Sequence, residues 1–421
     1  MTTGKKYTFA ESLDRLAQVA VRVGLGIEPG QENPQQLLIS APLDAMPLVR
    51  LITEHAYKAG ATLVTPFISD DACILARYKY GRDESFDVTA TWMSDAIYQA
   101  FKGNAARLAI AGANPALLAA QDPAKIARAN KVASQASKPA MEMITRHEIN
   151  WNIIAAATPA WAALMFPDKP DEKGMELLWD AIFTASRVHA DDPVAAWKQH
   201  SDELKKRSKM LNERRYASLK YRGPETEFEV GLADDHKWLG GGGKAGNGIS
   251  CMPNIPTEEV FTTPHKDRVS GTVRSTKPLS HQGTLIKDIV CRFEAGRIVD
   301  ARASEGQEAL QRLIDTDEGA RRLGEVALVP HSSPISASGL LFFNTLFDEN
   351  AASHIALGQA YSSCIKGGDT MNEEQLAAKG ANTSLIHVDW MIGSGEVDVD
   401  GITQSGTAEP LMRKGEWVTA V

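Results

Sequence analysis

Short apolar runs alternate with amphipathic segments of helical length through the first half of the 421-residue chain. The runs are QQLLIS (35–40), ATLVTPF (61–67), ARLAIAG (106–112) and WNIIAAATP (151–159), and PLVRLITEHAYKAG lies between the first two. Strands that alternate with helices of this length are typical of βαβ units, whose strands lie parallel. The pattern therefore predicts an α/β domain on a mostly parallel sheet. The GxGxxG signature is missing after these runs, which disfavours a dinucleotide-binding domain.

The pattern of the sequence changes in the middle of the chain. Residues 193–215 predict an amphipathic helix, opened by Pro193 and charged on one side. The following stretches alternate as antiparallel strands and hairpins do: YASLKYRG, TEFEVGL and GTLIKDIVCRFEAGRIVDARA. We therefore predict an N-terminal α/β domain over residues 1–215 and a C-terminal α+β domain over residues 216–421.

Composition restricts the partners and the compartment. The formal net charge of −8 and a pI near 5.8 give no basic field for a phosphate backbone, so nucleic acid is not expected as a partner. The four cysteines lack C-x-x-C spacing, which fits a reducing cytoplasm. Charged residues interrupt the N-terminal segment, and an apolar run long enough to span a bilayer is missing. The sequence predicts a cytoplasmic globular protein without a membrane partner.

The stretch HVDWMIGS (387–394) places two ionisable residues in apolar surroundings. On a β-strand, His387 and Asp389 share one face, whereas Val388 and Trp390 take the other. The two polar groups then either pair with each other or both face a third group. A divalent metal ion is a candidate, because imidazole nitrogen and carboxylate oxygen are common metal ligands.

Two other segments place carboxylates beside apolar strands. MPNIPTEEVFTTP presents Glu258 and Glu259 where a proline-bounded loop meets an apolar run. GEVALVP predicts a buried strand that starts near Glu325. A carboxylate is costly to bury at a strand end unless another group pairs with it.

A third segment, DENAASHIALGQAYSS (348–363), predicts a helix that Asp348 or Asn350 could cap. His354 and Tyr361 are seven residues apart, so a helix would project both side chains from one face. Structural roles are the alternative for all these groups. The ligand types suit a metal site, but a short local signature such as HExxH is missing.

These segments resemble the thermophilic-type metallo-aminopeptidases, the aminopeptidase T, aminopeptidase S and PepS type. The resemblance extends over essentially the whole chain, and the matching stretches follow the order of the family. They are VHADDPVAAWKQHSDELKKRSKMLN, NIPTEEVFTTP, GEVALVP, LFFNTLFDENAASHIALGQAY and HVDWMIGS. The resemblance implies a metal-dependent aminopeptidase that acts on short peptides with a free N-terminus, and a homodimer.

The resemblance also implies the site. Two divalent cations, Zn²⁺, Co²⁺ or Mg²⁺, would be held by five residues: Glu259, Glu325, His354, His387 and Asp389. Such a donor set leaves positive charge on the cations, which favours activation of a water near neutral pH.

Two further residues match the family beside these ligands. We expect Tyr361 to donate a hydrogen bond to the oxyanion of the transition state. For Glu258, the role of general base and acid is the expectation, and this assignment rests on the weaker match.

Two other functions stay open on the sequence. The same five residues could hold a structural ion in a non-catalytic protein that binds peptide or metal. They could also serve a two-metal amidohydrolase that acts on a small non-peptide amide. The preferred N-terminal residue and the native metal are not encoded in any recognisable motif.

Overall fold

A computed structural model of the chain describes residues 7–30, 34–281 and 284–418. The chain divides into two compact units. Unit 1 comprises residues 1–199 and 242–256, and unit 2 comprises residues 200–241 and 257–421. The sequence-based division at residue 215 stays a prediction about domains.

Unit 1 is built on a four-stranded parallel sheet, as the alternating pattern predicted. Its strand order is β2-β1-β3-β4, so the first strand lies between the second and the third. The strands are β1 (Gln36–Pro42), β2 (Leu63–Ser69), β3 (Ala106–Ala111) and β4 (Trp151–Ala155).

Helices connect and follow these strands. The first begins at a capping box, in which Thr8 and Glu11 each bond the backbone N–H of the other. The helices are α1 (Phe9–Val19), α2 (Met46–Lys58), α3 (Asp71–Tyr80), α4 (Thr91–Lys102), α5 (Pro123–Thr145), α6 (Pro159–Met165), α7 (Asp171–Ala185) and α8 (Pro193–Arg214). The last of them matches the amphipathic helix expected from residue 193 onward.

The remaining strands are short. In chain order they are β5 (Ser218–Gly223), β6 (Thr226–Leu232), β7 (Leu239–Gly240), β8 (Gly243–Lys244), β9 (Ser250–Cys251), β10 (Val260–Thr262), β11 (Pro264–Arg274), β12 (Leu279–His281), β13 (Thr284–Ile286), β14 (Val290–Glu294), β15 (Arg297–Arg302), β16 (Leu323–Leu328), β17 (His354–Gly358), β18 (His387–Met391), β19 (Asp398–Ile402), β20 (Ala408–Arg413) and β21 (Glu416–Trp417). The β8–β9 hairpin belongs to unit 1.

The described residues of unit 2 form two large antiparallel sheets and the two-stranded sheet of β12 and β13. The larger has the order β15-β14-β11-β6-β5-β19-β20-β21, and the smaller has the order β18-β17-β16-β10-β7. Four short helices accompany them: α9 (Gln307–Ile314), α10 (Pro334–Ser338), α11 (Thr345–Asp348) and α12 (Glu373–Ala378). The core joins apolar side chains of both sheets, including Phe228, Phe293 and Trp390. The mixed α/β fold class expected from the sequence is confirmed.

The helix predicted from a cap at Asp348 or Asn350 to Tyr361 is wrong. Only Thr345–Asp348 forms an α-helix there, and it is followed by a single 3-10 turn over Glu349–Ala351. His354 instead begins β17, all five residues of which are buried. A short apolar run buried on both faces lacks the alternation that distinguishes a strand from a helix.

Among the residues described, no helix is both long and apolar enough to cross a membrane.

Candidate metal centre

Four neighbouring strands of the smaller sheet bring the five predicted ligands together. Glu259 immediately precedes β10, and Glu325 is the third residue of β16. His354 is the first residue of β17, and His387 and Asp389 are the first and third residues of β18. The sheet order β18-β17-β16-β10 makes these strands adjacent, although the residues span most of the C-terminal half of the sequence.

The strand register places the donors on one face of the sheet. Ala356 of β17 lies opposite Glu325 on one side and opposite Asp389 on the other. Residues directly opposite in an antiparallel pair share a face, as do residues two apart on one strand. His354 and His387 therefore join the same face. The methyl group of Ala356 fills little of the space between the carboxylates that flank it.

The donor atoms approach one another closely. Nε2 of His354 lies 3.2 Å from Oε2 of Glu259 and 3.5 Å from Oε1 of Glu325. On the other side, Nε2 of His387 lies 3.8 Å from Oε2 of Glu325 and 3.4 Å from Oδ1 of Asp389. The donors thus form two groups of three, in each of which the ligand atoms lie within 4.8 Å of one another. Glu325 belongs to both groups and contributes one oxygen to each.

Backbone carbonyls orient both imidazoles. Nδ1 of His354 lies 3.1 Å from the carbonyl oxygen of Ala352, and Nδ1 of His387 lies 2.8 Å from that of Gln359. A carbonyl oxygen can only accept, so Nδ1 carries the proton in each ring. Nε2 therefore turns toward the carboxylates, and in the neutral ring it offers a lone pair. Histidines that bind metals are commonly held in this way.

The cluster is electrostatically unbalanced. Burial, reinforced by the charges of Glu259 and Asp389, raises the pKa of Glu325 to about 7. Burial lowers the pKa of His387, but the charges of Asp389 and Glu325 outweigh it and raise that pKa to about 10. The pKa of His354 lies well above its ordinary value, because burial is outweighed by the Glu259 and Glu325 carboxylates. The imidazoles are therefore drawn toward the charged form by an excess of buried negative charge.

Two carboxylate oxygens of the cluster lack a hydrogen-bond partner. Oε2 of Glu259 and Oδ1 of Asp389 are buried, and no hydrogen bond reaches them from the part of the chain that the structure describes. Buried carboxylate oxygens are costly unless hydrogen bonds or cations satisfy them. Carboxylates and oriented imidazoles are also the usual protein ligands of divalent transition metals. The donor set therefore fits divalent cations.

Tyr361 follows β17 and lies against the cluster. Its ring centroid lies 4.8 Å from that of His387 and 6.3 Å from that of Phe261. Burial raises the pKa of the Tyr361 hydroxyl well above its ordinary value, and the charges of Glu325 and Asp389 raise it further. The phenol consequently stays protonated and is able to donate a hydrogen bond.

Glu349 is an acidic residue near the cluster that sequence reasoning did not single out. Burial raises the pKa of its carboxyl well above the ordinary value, and the charges of Glu259 and Asp389 act in the same direction. It lies in the 3-10 turn between α11 and β17. The polar run from Asp348 to Asn350 shortly before an apolar stretch was the available signal, but the helix prediction considered only Asp348 and Asn350 there, as caps.

Glu258 is buried, with 3% of its surface exposed, and it belongs to neither of the two donor groups. Its Oε2 lies 3.4 Å from Nε2 of His200, and its backbone N–H donates to Oδ1 of Asn350 at 2.7 Å. Adjacent residues of an extended chain point in opposite directions, which accounts for the different surroundings of Glu258 and Glu259.

The fold and the site define a protein in which an antiparallel sheet carries carboxylate and imidazole donors for divalent cations. The family model described as thermophilic metalloprotease (M29) matches residues 9–417. The chain is 48% identical to aminopeptidase T of Thermus thermophilus over 410 residues, which cover 97% of this chain and 99% of that protein. It is 46% identical to aminopeptidase 2 of Geobacillus stearothermophilus over 407 residues, with 97% and 98% covered.

A solved structure agrees with these sequence relatives. Wild-type AmpT from Thermus thermophilus superposes with a TM-score of 0.92 at 47% identity, covering 98% of this chain and 100% of that one. The chain belongs to the thermophilic metalloprotease (M29) family. It is a metallo-aminopeptidase, as the resemblance in its sequence implied.

Proposed function

We propose that this chain removes N-terminal residues from short peptides with two divalent cations held by Glu259, Glu325, His354, His387 and Asp389. The observation that supports two cations is the arrangement of these residues in two groups of three, with one oxygen of Glu325 in each. A carboxylate that bridges in this way suits a pair of ions better than a single structural ion. Divalent cations supply Lewis acidity, and they lower the pKa of water enough to provide a nucleophile near neutral pH.

Tyr361 is the proposed donor to the oxyanion that forms on the scissile carbonyl. Its hydroxyl is kept protonated by burial and by the surrounding carboxylates. Loss of one such donor typically lowers kcat about 10²- to 10³-fold. Tyr361→Phe should therefore reduce kcat while the metal content stays unchanged. A loss of bound metal in this variant would instead assign the phenol a structural role.

Glu258 is the proposed general base, which takes a proton from the attacking water and passes it to the leaving amine. Glu349 is a second candidate for the same role, because its carboxyl is coupled by charge to Glu259 and Asp389. Glu258→Gln and Glu349→Gln separate the two. The variant that loses turnover while retaining metal identifies the proton carrier, and normal turnover in Glu258→Gln would eliminate its role.

We also propose zinc or cobalt as the working metals, a cytoplasmic location and a homodimer. Four free cysteines suit a reducing compartment. Large side chains on unit 1 support a protein interface, since Tyr80 and Trp92 have 74% and 73% of their surfaces exposed and Val88 has 60%. Sedimentation equilibrium of the wild type beside a Trp92→Ser, Tyr80→Ser variant tests the dimer.

The decisive experiment is hydrolysis of aminoacyl p-nitroanilides and dipeptides by the metal-loaded protein. Chelator should abolish the activity and zinc or cobalt should restore it, with two metal ions counted per chain. N-acetylated substrates should be inert, because the proposed function requires a free amine. Turnover of the blocked amides would favour an amidohydrolase. Metal binding without turnover across a panel of amino acids would favour a non-catalytic protein.

A further inference from the structure

A histidine on α8 contacts the segment that carries Glu258. Nε2 of His200 lies 2.9 Å from the carbonyl oxygen of Thr257 and 3.4 Å from Oε2 of Glu258. The side chain of His200 is 13% exposed and that of Glu258 is 3% exposed, so the contact is nearly shielded from water. No local pattern links these residues, since 57 positions separate His200 from Thr257.

The contact has a defined direction. A carbonyl oxygen has only lone pairs, so Nε2 of His200 must carry the proton that it shares with Thr257. The carboxylate of Glu258 is an ionic neighbour of the same nitrogen. His200 therefore holds the main chain before Glu258 and lies beside its carboxylate.

Asn350 holds the other polar atom of the same peptide group. Its Oδ1 accepts the backbone N–H of Glu258 at 2.7 Å, and its Nδ2 donates to the carbonyl oxygen of Leu346 at 3.0 Å. Asn350 is fully buried. The peptide group between Thr257 and Glu258 is thus held at both its polar atoms, by Asn350 at the N–H and by His200 at the carbonyl oxygen.

We propose that His200 is a positioning residue for the acidic pair Glu258–Glu259, which holds the Glu258 carboxylate in the orientation that proton transfer requires. The inference rests on the proposed role of Glu258. Catalytic groups need support of this kind, because a misplacement of about 1 Å can cost about 10²-fold in rate. Neither donor group of the metal centre includes His200.

Replacement of His200 tests the proposal. His200→Leu removes the donor, and we expect kcat to fall about 10- to 100-fold, as is typical when an outer-shell partner is lost. KM and metal content should change less than about twofold, because the contact is made to the proton carrier and not to the metal ligands. In a Glu258→Gln background, His200→Leu should lower kcat no further.

A conservative variant separates positioning from folding. The side-chain amide of Gln can place an N–H near the position of the histidine Nε2–H, so His200→Gln should recover most of the lost kcat. His281→Leu, which alters a histidine of the β12–β13 hairpin, is the matched control and should leave kcat unchanged. Equal losses in His200→Leu and His200→Gln, or a normal kcat in His200→Leu, would overturn the proposal.

A second readout needs no activity. Nitrogen-15 spectra of the metal-free protein should show the Nε2-protonated form of His200, assigned from the signal lost in His200→Gln. Glu258→Gln should move this signal, and a signal that does not move overturns the contact. If metal-loaded wild type released no product from any free-amine substrate, the proposed function would fail, and the spectra would still judge the pairing of His200 with Glu258.

Discussion

Two buried polar clusters, one in each unit, are satisfied in opposite ways. In unit 1, Asn150 is fully buried and its amide forms four side-chain hydrogen bonds, to the carbonyl of Leu25, twice to Gln35 and once to Asn247. Both its donors and both its lone pairs are used. In unit 2, the buried carboxylates of Glu259 and Asp389 each retain an oxygen without a hydrogen-bond partner among the described residues.

The difference separates structural burial from functional burial. Neutral amides satisfy one another, so the network around Asn150 needs nothing from outside and contributes to stability. The cluster around Glu325 concentrates like charge at low dielectric, where each charge opposes the next. In the metal-free protein the raised pKa values of His354 and His387 supply positive charge to the cluster, a role that bound cations would take over. The carboxylates of this cluster lower the stability of the metal-free protein, and they form a binding site for cations.

The largest expected effect comes from Glu325→Gln. Loss of the shared carboxylate should lower turnover by about 10³-fold or more, since metal contributions to transition-state stabilisation amount to several kcal/mol. The metal-free variant should unfold at the same or higher denaturant concentration, because like-charge repulsion is relieved. Turnover assays and urea titrations measure both quantities.

Glu308→Gln on α9 is the control for that variant, because the Glu308 side chain is 92% exposed. It should change neither quantity. A metal-free Glu325→Gln protein that is clearly less stable than wild type would remove the contrast between the units, since the carboxylate would then stabilise the fold directly.

Asn150→Ala tests the other side of the comparison. The variant leaves buried partners of the amide unsatisfied and should lower the free energy of unfolding by about 3 kcal/mol. The turnover per folded molecule should stay the same. Asn130→Ala on α5, where the asparagine is exposed, should cost less than about 0.5 kcal/mol. Chemical denaturation with active-site titration distinguishes lost stability from lost catalysis.

Metal binding should stabilise unit 2 selectively. At a free metal concentration 100 times Kd, the protein should gain about 2.7 kcal/mol of stability. Hydrogen exchange should slow in β16, β17 and β18 more than in the parallel sheet of unit 1. If metal slowed hydrogen exchange equally in both units, or stabilised the Glu325→Gln variant as much as wild type, a metal centre built from these strands would be contradicted.

The smallest effect concerns a compensated charge within unit 2. Burial opposes ionisation of Asp400, but bonds from Arg413 and Arg222 outweigh it and lower the pKa of this carboxyl below 3.8. A lowered folded-state pKa stabilises the protein above the ordinary pKa, and this contribution disappears as pH falls through the folded value.

Asp400→Asn should therefore cost about 1 kcal/mol at neutral pH, since both arginines are partly exposed and solvent screens the pairs. The cost should shrink below about pH 4, near the ordinary pKa of aspartate. Asp202→Asn, at an exposed position of α8, is the control. A cost that persists at low pH would show that packing, and not ion pairing, is responsible. Urea titrations at several pH values measure it.

Sequence alone predicted the four strands of the parallel sheet in unit 1, because amphipathic segments of helical length alternate with the apolar runs. It also predicted β18, where the alternation of polar and apolar residues is strict. The helix expected at His354 failed for a physical reason. The run HIALG is buried on both faces, so the periodicity that separates strand from helix is erased.

Ionisable residues at strand ends and inside apolar runs are visible in sequence and supplied the candidates, but the set of five ligands was implied only by the resemblance to the family. Glu349 was not found, since the charges that raise the pKa of its carboxyl belong to residues distant in the sequence and not to its neighbours in the chain. His200 was missed because its partners lie far along the sequence. Contacts between distant segments leave no local pattern.

The position of Ala356 between Glu325 and Asp389 has an architectural consequence. Neighbouring strands are held about 4.8 Å apart by main-chain hydrogen bonds. The α-carbons of the donors on β16, β17 and β18 are therefore spaced by the distance between the strands, whatever the rotamers of the side chains. The hydrogen-bonded main chain therefore sets the spacing of the donors. Substitution of the donor side chains can change the chemistry of the centre while the backbone beneath them stays the same.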